Sequence, residues 1–148
     1  MSKLVFREDL IKKLYIFDLL GAKNYSKQTA PDFLIEVDDE EKDFPLILSD
    51  ADQENFFQIT QNISQIDEII KDCLIEYHLA RLSYLDRAII RLATYSLVFE
   101  PQKASSFIFT EMLELTKTYT DLGDSKQKNF NHRLLTNIKA KIGRVDNG

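Results

Sequence analysis

The sequence predicts an all-α protein of six to seven short antiparallel helices. Three observations carry that expectation. Apolar residues recur at three- and four-residue steps in one segment after another, the spacing of a single helix face. Only 4 Gly and 3 Pro stand in 148 residues, too little turn material for a hairpin-rich fold. The breaks between the periodic segments are short, as in antiparallel helix pairs. Length and a 44% hydrophobic content suit one helical domain over residues 1–148 with its own core.

Phe6, Leu10, Leu14 and Phe17 place a first helix over about 6–20, with Gly21 positioned to end it. Pro31 to Val37 reads as a short helix, and the acidic stretch 36–43 as a solvated loop. Ser49 or Asp50 caps a helix carrying Phe56, Phe57, Ile59 and Ile63. Ser64 offers its oxygen to a further start, with Ile66, Ile69, Ile70, Cys73 and Tyr77 on one face. Ser83-Tyr-Leu-Asp86 resembles a capping box. The helix behind it is apolar over most of its circumference, with Asp86, Arg87, Arg91 and Thr94 as a polar stripe, so it is expected at the centre of the bundle until Pro101 stops it. A helix from near Ser106 turns Ile108, Met112, Leu115 and Tyr119 inward and Thr110, Glu111, Glu114, Lys117 and Thr118 outward. Asp124-Ser-Lys-Gln127 reads as another capping box, ahead of a last helix with Phe130, Leu134, Ile138 and Ile142 at four-residue steps, backed by Leu135. Residues 144–148 are expected to form a flexible tail.

Several function classes are excluded. No apolar run approaches the roughly 20 residues that cross a bilayer, and the start lacks a secretory signal, so a cytoplasmic protein without a membrane partner is expected. Cys73 stands alone, so neither a disulfide framework nor a thiolate metal cluster is expected within one chain. His78 and His132 are far apart in sequence, and the glycines at 21, 123, 143 and 148 form no phosphate-cradling loop. A Cys73–His78 nucleophile is outweighed by a buried structural thiol. No catalytic residue, metal or cofactor is predicted, and no enzyme.

Charge is the informative remainder. The net charge is −5, yet from Lys126 onward six cations (Lys126, Lys128, Arg133, Lys139, Lys141, Arg144) face one anion, Asp146. Lys139, Lys141 and Arg144 fit the last turn of a helix, where cations offset the dipole. Lys126, Lys128 and Arg133 stand in the first half of theirs, where the dipole disfavours them, so they need another reason. Lys3 and Arg7 lie one helical turn apart at the other end of the chain. Tyr15, Tyr84 and Phe130 are near cations in sequence, and such rings stack on the splayed bases of single-stranded RNA, although core packing accounts for most aromatics.

These residues resemble a family. Leu82-Ser-Tyr-Leu-Asp-Arg-Ala-Ile-Ile-Arg-Leu-Ala-Thr-Tyr-Ser-Leu97 is similar to the central helix of the NusB family of bacterial transcription antitermination factors. Phe109-Thr-Glu-Met-Leu-Glu-Leu-Thr-Lys117 resembles its Ile-Asn-Glu-Ala…Glu-Leu-Ala-Lys helix, and Asn129-Phe-Asn-His-Arg-Leu-Leu135 its Lys-Phe-Val-Asn-Gly-Val-Leu segment. Arg7-Glu-Asp-Leu-Ile-Lys-Lys-Leu-Tyr15 resembles the first helix, which in the family follows an arginine-rich stretch. Together these cover the chain except roughly 22–50.

The resemblance implies two packed three-helix bundles and a partner set. That set is boxA-like single-stranded RNA, the small-subunit ribosomal protein NusE and the RNA polymerase elongation complex, and a homodimer is also compatible. Lys3 and Arg7 then fall on the RNA-contacting region, with Phe130 near the RNA and Lys126, Lys128 and Arg133 as further RNA-binding candidates. Tyr15, Asp86 and Arg87 fall on the protein-partner surface. The chain departs from the pattern at Leu4 and Val5, which stand in place of arginines, at His132-Arg133 in place of Asn-Gly, and at Ser96 in place of Glu. A protein-only adaptor that has lost RNA recognition is the alternative. A third reading is the RNA-binding accessory domain of ribosomal RNA cytosine methyltransferases, which shares this fold. A bundle around Leu85–Phe99 is expected to join both ends of the chain in one electropositive ledge.

Overall fold

Ser49 and Ser83, two of the residues expected to cap helices, do so through their side chains. The Ser49 hydroxyl accepts from the Asp52 N–H at 3.1 Å, and that of Ser83 accepts from the Asp86 N–H at 3.0 Å. The computed structural model describes residues 5–20, 48–74, 79 and 82–146. Lys3, Gly21, the helix over 31–37, the acidic loop over 36–43, Tyr77 and His78 lie outside them. Among the described residues there are six helices and no strand: α1 (Glu8–Leu19), α2 (Asp50–Gln61), α3 (Ile63–Cys73), α4 (Tyr84–Phe99), α5 (Ser105–Tyr119) and α6 (Lys126–Ile142). Ser64 does not start α3. The helix begins at Ile63 directly after Asn62, which closes α2 by donating its side-chain amide to the Gln58 carbonyl at 2.7 Å.

α4 is the hub. It packs against each of the other five helices, and every residue from Ala88 to Leu97 is buried. Two trios share it, α4 with α1 and α2 and α4 with α5 and α6, while α3 packs on α2, α4 and α6. The polar stripe of α4 is largely enclosed. Arg91 donates from Nε and Nη2 to the two oxygens of Asp67, both at 2.9 Å, and Arg87 Nε donates to Asp18 at 2.7 Å. Paired in this fork geometry the guanidinium of Arg91 stays charged where an isolated one would be expelled.

Cross-chain contacts fix the directions. Arg7 at the start of α1 reaches Ser96 and Glu100 at the end of α4, while Asp18 at the end of α1 meets Arg87 and Arg91 near its start. The two helices are therefore antiparallel. Asn131 in α6 meets Asp86, and Arg144 beyond α6 meets Ser96 and Leu97, so α6 runs parallel to α4. Asp121 after α5 receives the Lys128 N–H and Asp146 receives the Ser105 N–H, so α5 and α6 are antiparallel.

Arg7, ahead of α1, and Arg144, beyond α6, meet at the C-terminal end of α4 in a dense charge cluster. Arg7 donates to Glu111 from Nε and Nη2 (3.1 and 2.7 Å), to Glu100 from Nη1 (3.0 Å) and to the Ser96 hydroxyl (2.8 Å). Glu111, expected to point outward, is 2% exposed because Arg7 draws it in. Residues 144 to 146 are no loose tail. Arg144 donates to the carbonyls of Ser96, Leu97, Glu100, Pro101 and Lys103, and the Asp146 carboxylate accepts from the Ser105 N–H and hydroxyl. Arg144 thus serves carbonyls at the end of α4 and in the turn after it, some of them already holding a backbone N–H, not the dipole of its own helix. Arg144→Ala is expected to cost about 2–3 kcal/mol, since charge-assisted hydrogen bonds to these carbonyls are lost together. Urea unfolding midpoints measure it, and Arg144→Lys recovers only part because an ammonium lacks the planar fork.

This cluster also sets an acid limit. Burial pushes the Glu100 carboxyl up, but the Ser96 hydrogen bond and the Arg7 and Lys103 charges outweigh it and hold Glu100 below its ordinary value of 4.5. A carboxyl depressed in the fold contributes stability that is complete above its unfolded value and drains away as pH falls through the folded one. Asp52 works in the opposite sense, because burial pushes its carboxyl up. Stability is expected to fall as pH drops below about 5, and Glu100→Gln to flatten that profile in thermal melts from pH 6 to 3.

Candidate nucleic-acid interface

The opposite end of α4 is built differently. The loop into α6 turns through Gly123 (φ 92) and Ser125 (φ 65), the latter in the left-handed region that a non-glycine residue seldom occupies. The N-cap of α6 is Ser125, one residue after the Asp124 that the expected capping box would use, and its side chain makes no capping hydrogen bond. Asp121 takes that role from a distance, its two oxygens accepting from the backbone N–H groups of Gly123 (3.0 Å), Ser125 (3.3 Å) and Lys128 (3.3 Å). Asp124 accepts from the Lys126 N–H at 3.1 Å. Desolvation pushes Asp121 up, but the backbone donors prevail and hold its carboxyl below the ordinary range. The first turn of α6 is thereby fixed in place although it carries cations where the dipole disfavours them.

Those cations lack partners. Among the described residues, Lys117, Lys126, Lys128, Arg133 and Lys139 make no ion pair with a described carboxylate. Arg7, Arg87, Arg91, Lys103 and Arg144 all do. Lys126 and Arg133 are exposed and Lys128 is half-buried. An unpaired cation keeps its whole field for an incoming phosphate, whereas a paired one must first break an internal contact.

Beside this edge a cleft of about 410 Å³ opens at the N-terminal end of α4, lined by Tyr15, Ser83, Tyr84, Asp86 and Tyr119. Tyr15 and Tyr84 meet edge to face at 6.1 Å, and Tyr84 is 41% exposed. The Arg87 guanidinium lies 4.5 Å from the Tyr84 ring centre, and the Lys12 ammonium 5.9 Å from that of Tyr119. Polar-tipped rings with bound cations form the adhesive surface typical of binding hot spots.

The expected site residues therefore separate. Lys126 and Arg133, seven residues apart, share the exposed face of α6, the half-buried Lys128 lies on its other flank, and Tyr15 lines the cleft. Phe130 is half-buried and packs against the core at its margin. Asp86 is 5% exposed and is foremost a structural residue: one oxygen accepts from the Ser83 hydroxyl at 2.9 Å and the other from Asn131 at 3.4 Å, so only its edge reaches the cleft. Arg87 is held by Asp18 and Tyr84 and offers the cleft its flank.

Arg7 is corrected outright. Its guanidinium is enclosed by Glu100, Glu111 and Ser96 at the far end of α4, ten residues from Asp86, or roughly 15 Å along the helix. Arg7 and Arg144 do meet, but the segment from Lys126 to Arg133 lies at the other end of α4, so the described residues form no single electropositive ledge. The sequence reading missed Lys12 and Tyr119 as groups at the cleft and Asn131 as a buried polar one, while Lys117 is exposed as expected. A polar residue on the otherwise apolar stripe of Leu134, Leu135 and Ile138 was the available signal for Asn131.

Nothing among the described residues suggests metal or thiol chemistry. No group of three metal-capable side chains is present there, and burial pushes the Cys73 thiol up, away from the reactive thiolate. No helix among them is long and apolar enough to cross a membrane.

Residues 6–139 match the family model of NusB. The chain belongs to the NusB family. The transcription antitermination protein NusB of Bacillus licheniformis is 32% identical over 117 residues, covering 74% of this chain and 88% of its own. The solved NusB of T. maritima superimposes with a TM-score of 0.68 at 25% identity, covering 95% of this chain and 94% of that one. A crystal structure of the antitermination factors NusB and NusE in complex with dsRNA shares the fold, with a TM-score of 0.64 at 24% identity over 91% of this chain and 93% of that one. The NusB resemblance read from Leu82–Leu97 therefore holds, and the all-α architecture with it.

Proposed function

We propose that this NusB-family chain is a transcription antitermination factor that binds boxA-type single-stranded RNA jointly with NusE. In this role it joins the RNA polymerase elongation complex in the cytoplasm, through binding and without catalysis. The observation that carries the reading is the pairing of two surfaces at one end of α4: cations on α6 without carboxylate partners among the described residues, and a tyrosine cleft next to them. Unpaired Lys and Arg suit a phosphate backbone, while exposed tyrosines suit either a protein hot spot or a splayed base. NusE is named as the protein partner because the chain is a NusB-family member and because the solved assembly holds NusB and NusE together.

Fluorescence anisotropy with a labelled boxA-type RNA and a scrambled RNA of equal length tests the reading, with and without NusE. Binding is expected to favour the boxA-type sequence and to tighten when NusE is present. Binding of NusE with no RNA binding at low salt would select the protein-only adaptor, a reading that the enclosure of Arg7 favours.

A further inference from the structure

Asn131 lies on the buried stripe of α6 and is 0% exposed. Its side-chain NH2 donates to the Thr116 hydroxyl oxygen at 3.0 Å and to Asp86 Oδ1 at 3.4 Å, while its carbonyl accepts from Gln127 Nε2 at 2.9 Å. The direction of this network is fixed by chemistry. The Thr116 hydroxyl already donates to the Met112 carbonyl at 2.8 Å, so it meets Asn131 as an acceptor, and a carboxylate can only accept. Asp86 holds the Ser83 hydroxyl with its other oxygen, and Ser83 and Asp86 form a wall of the tyrosine cleft. One side chain thus ties α5, the first turns of α6 and the N-cap of α4 together.

Stability alone is a poor reason for this arrangement, because a buried hydrogen-bonded pair is commonly matched by an apolar pair of the same shape. What the contact between Asn131 and Asp86 adds is geometry: it sets the angle between the cleft wall and the helix that carries Lys126, Lys128 and Arg133.

We propose that Asn131 is a positioning residue that locks the Ser83–Asp86 wall of the cleft to the first turns of α6, so that a protein in the cleft and RNA on the α6 cations reinforce each other's binding. The inference rests on the function proposed above. A partner that presses on the cleft wall orients the α6 cations through Asn131, and by linkage RNA strengthens the hold on the partner by the same factor.

The test measures the dissociation constant of boxA-type RNA with and without saturating NusE, for the wild type, Asn131→Val, Thr116→Val and the double variant Thr116→Ala with Asn131→Val. The quantity read is the ratio of the two constants. Both Asn131 variants are expected to reduce that ratio at least threefold, while Thr116→Val keeps it and the salt slope of RNA binding alone stays unchanged in all. The double variant replaces polar groups on both sides and serves where the single one fails to fold. An unchanged ratio in folded Asn131 variants, an equal loss in Thr116→Val, or unfolding of both Asn131 variants would overturn the positioning role. Wild-type protein that binds RNA in neither condition would instead overturn the function itself, and this inference with it.

Discussion

Arg7→Ala is expected to destabilise the protein by about 3–5 kcal/mol, the loss typical when one partner of a buried charge pair is removed. The guanidinium is 10% exposed, and its partners Glu111 and Glu100 are 3% and 11% exposed. Without Arg7 two carboxylates remain close together and shielded from water, with Lys103, 3.5 Å from Glu100, as the remaining cation in an ion pair with either. For a chain of this size the loss corresponds to a fall in Tm of roughly 10–15 °C. Adding Glu111→Gln to Arg7→Ala should recover part of it, because one uncompensated charge disappears. Scanning calorimetry of the two variants checks both statements. A shift under 3 °C for Arg7→Ala would show that the cluster is no stabilising lock.

Reversing three cations, Lys126→Glu with Lys128→Glu and Arg133→Glu, is expected to weaken RNA binding by about 100-fold or more at physiological salt while leaving the fold intact. None of the three has a described carboxylate partner to lose, so each substitution belongs with surface changes worth within about 0.5 kcal/mol of stability. Each lost contact with a single-stranded phosphate removes about 0.7 from the slope of log affinity against log salt. The triple variant should therefore bind RNA with a slope smaller by about 2. Filter binding at several salt concentrations, beside a melting curve, separates lost recognition from lost structure.

The bundle was legible because its signals are local. Caps at Ser49 and Ser83 act across three residues, and the stripes of α4 and α6 repeat every three or four, so short stretches contain them whole. The α6 cations were legible for a related reason. A segment with six cations and one anion cannot pair its charges internally, and several have no carboxylate partner among the described residues.

The rest depends on partners distant in the chain. Arg7 looks like any N-terminal cation until Glu111, 104 residues away, closes on it, and helical periodicity by itself turns Glu111 to solvent. Arg144 reads as a counter-charge to its own helix, yet it serves the end of α4, more than 40 residues earlier. Asp121 caps α6 from seven residues before Lys128, beyond the three-residue reach of a capping box.

The most direct measurement is a map of backbone amide shifts on titrating boxA-type RNA into the isotopically labelled protein. Changes are expected over Lys126–Arg133, the end of α5 and the tyrosine cleft, with Ser96, Glu100 and Arg144 at the other end of α4 unmoved. Shifts centred on Arg7, Lys103 and Arg144, with α6 silent, would contradict that placement of the RNA.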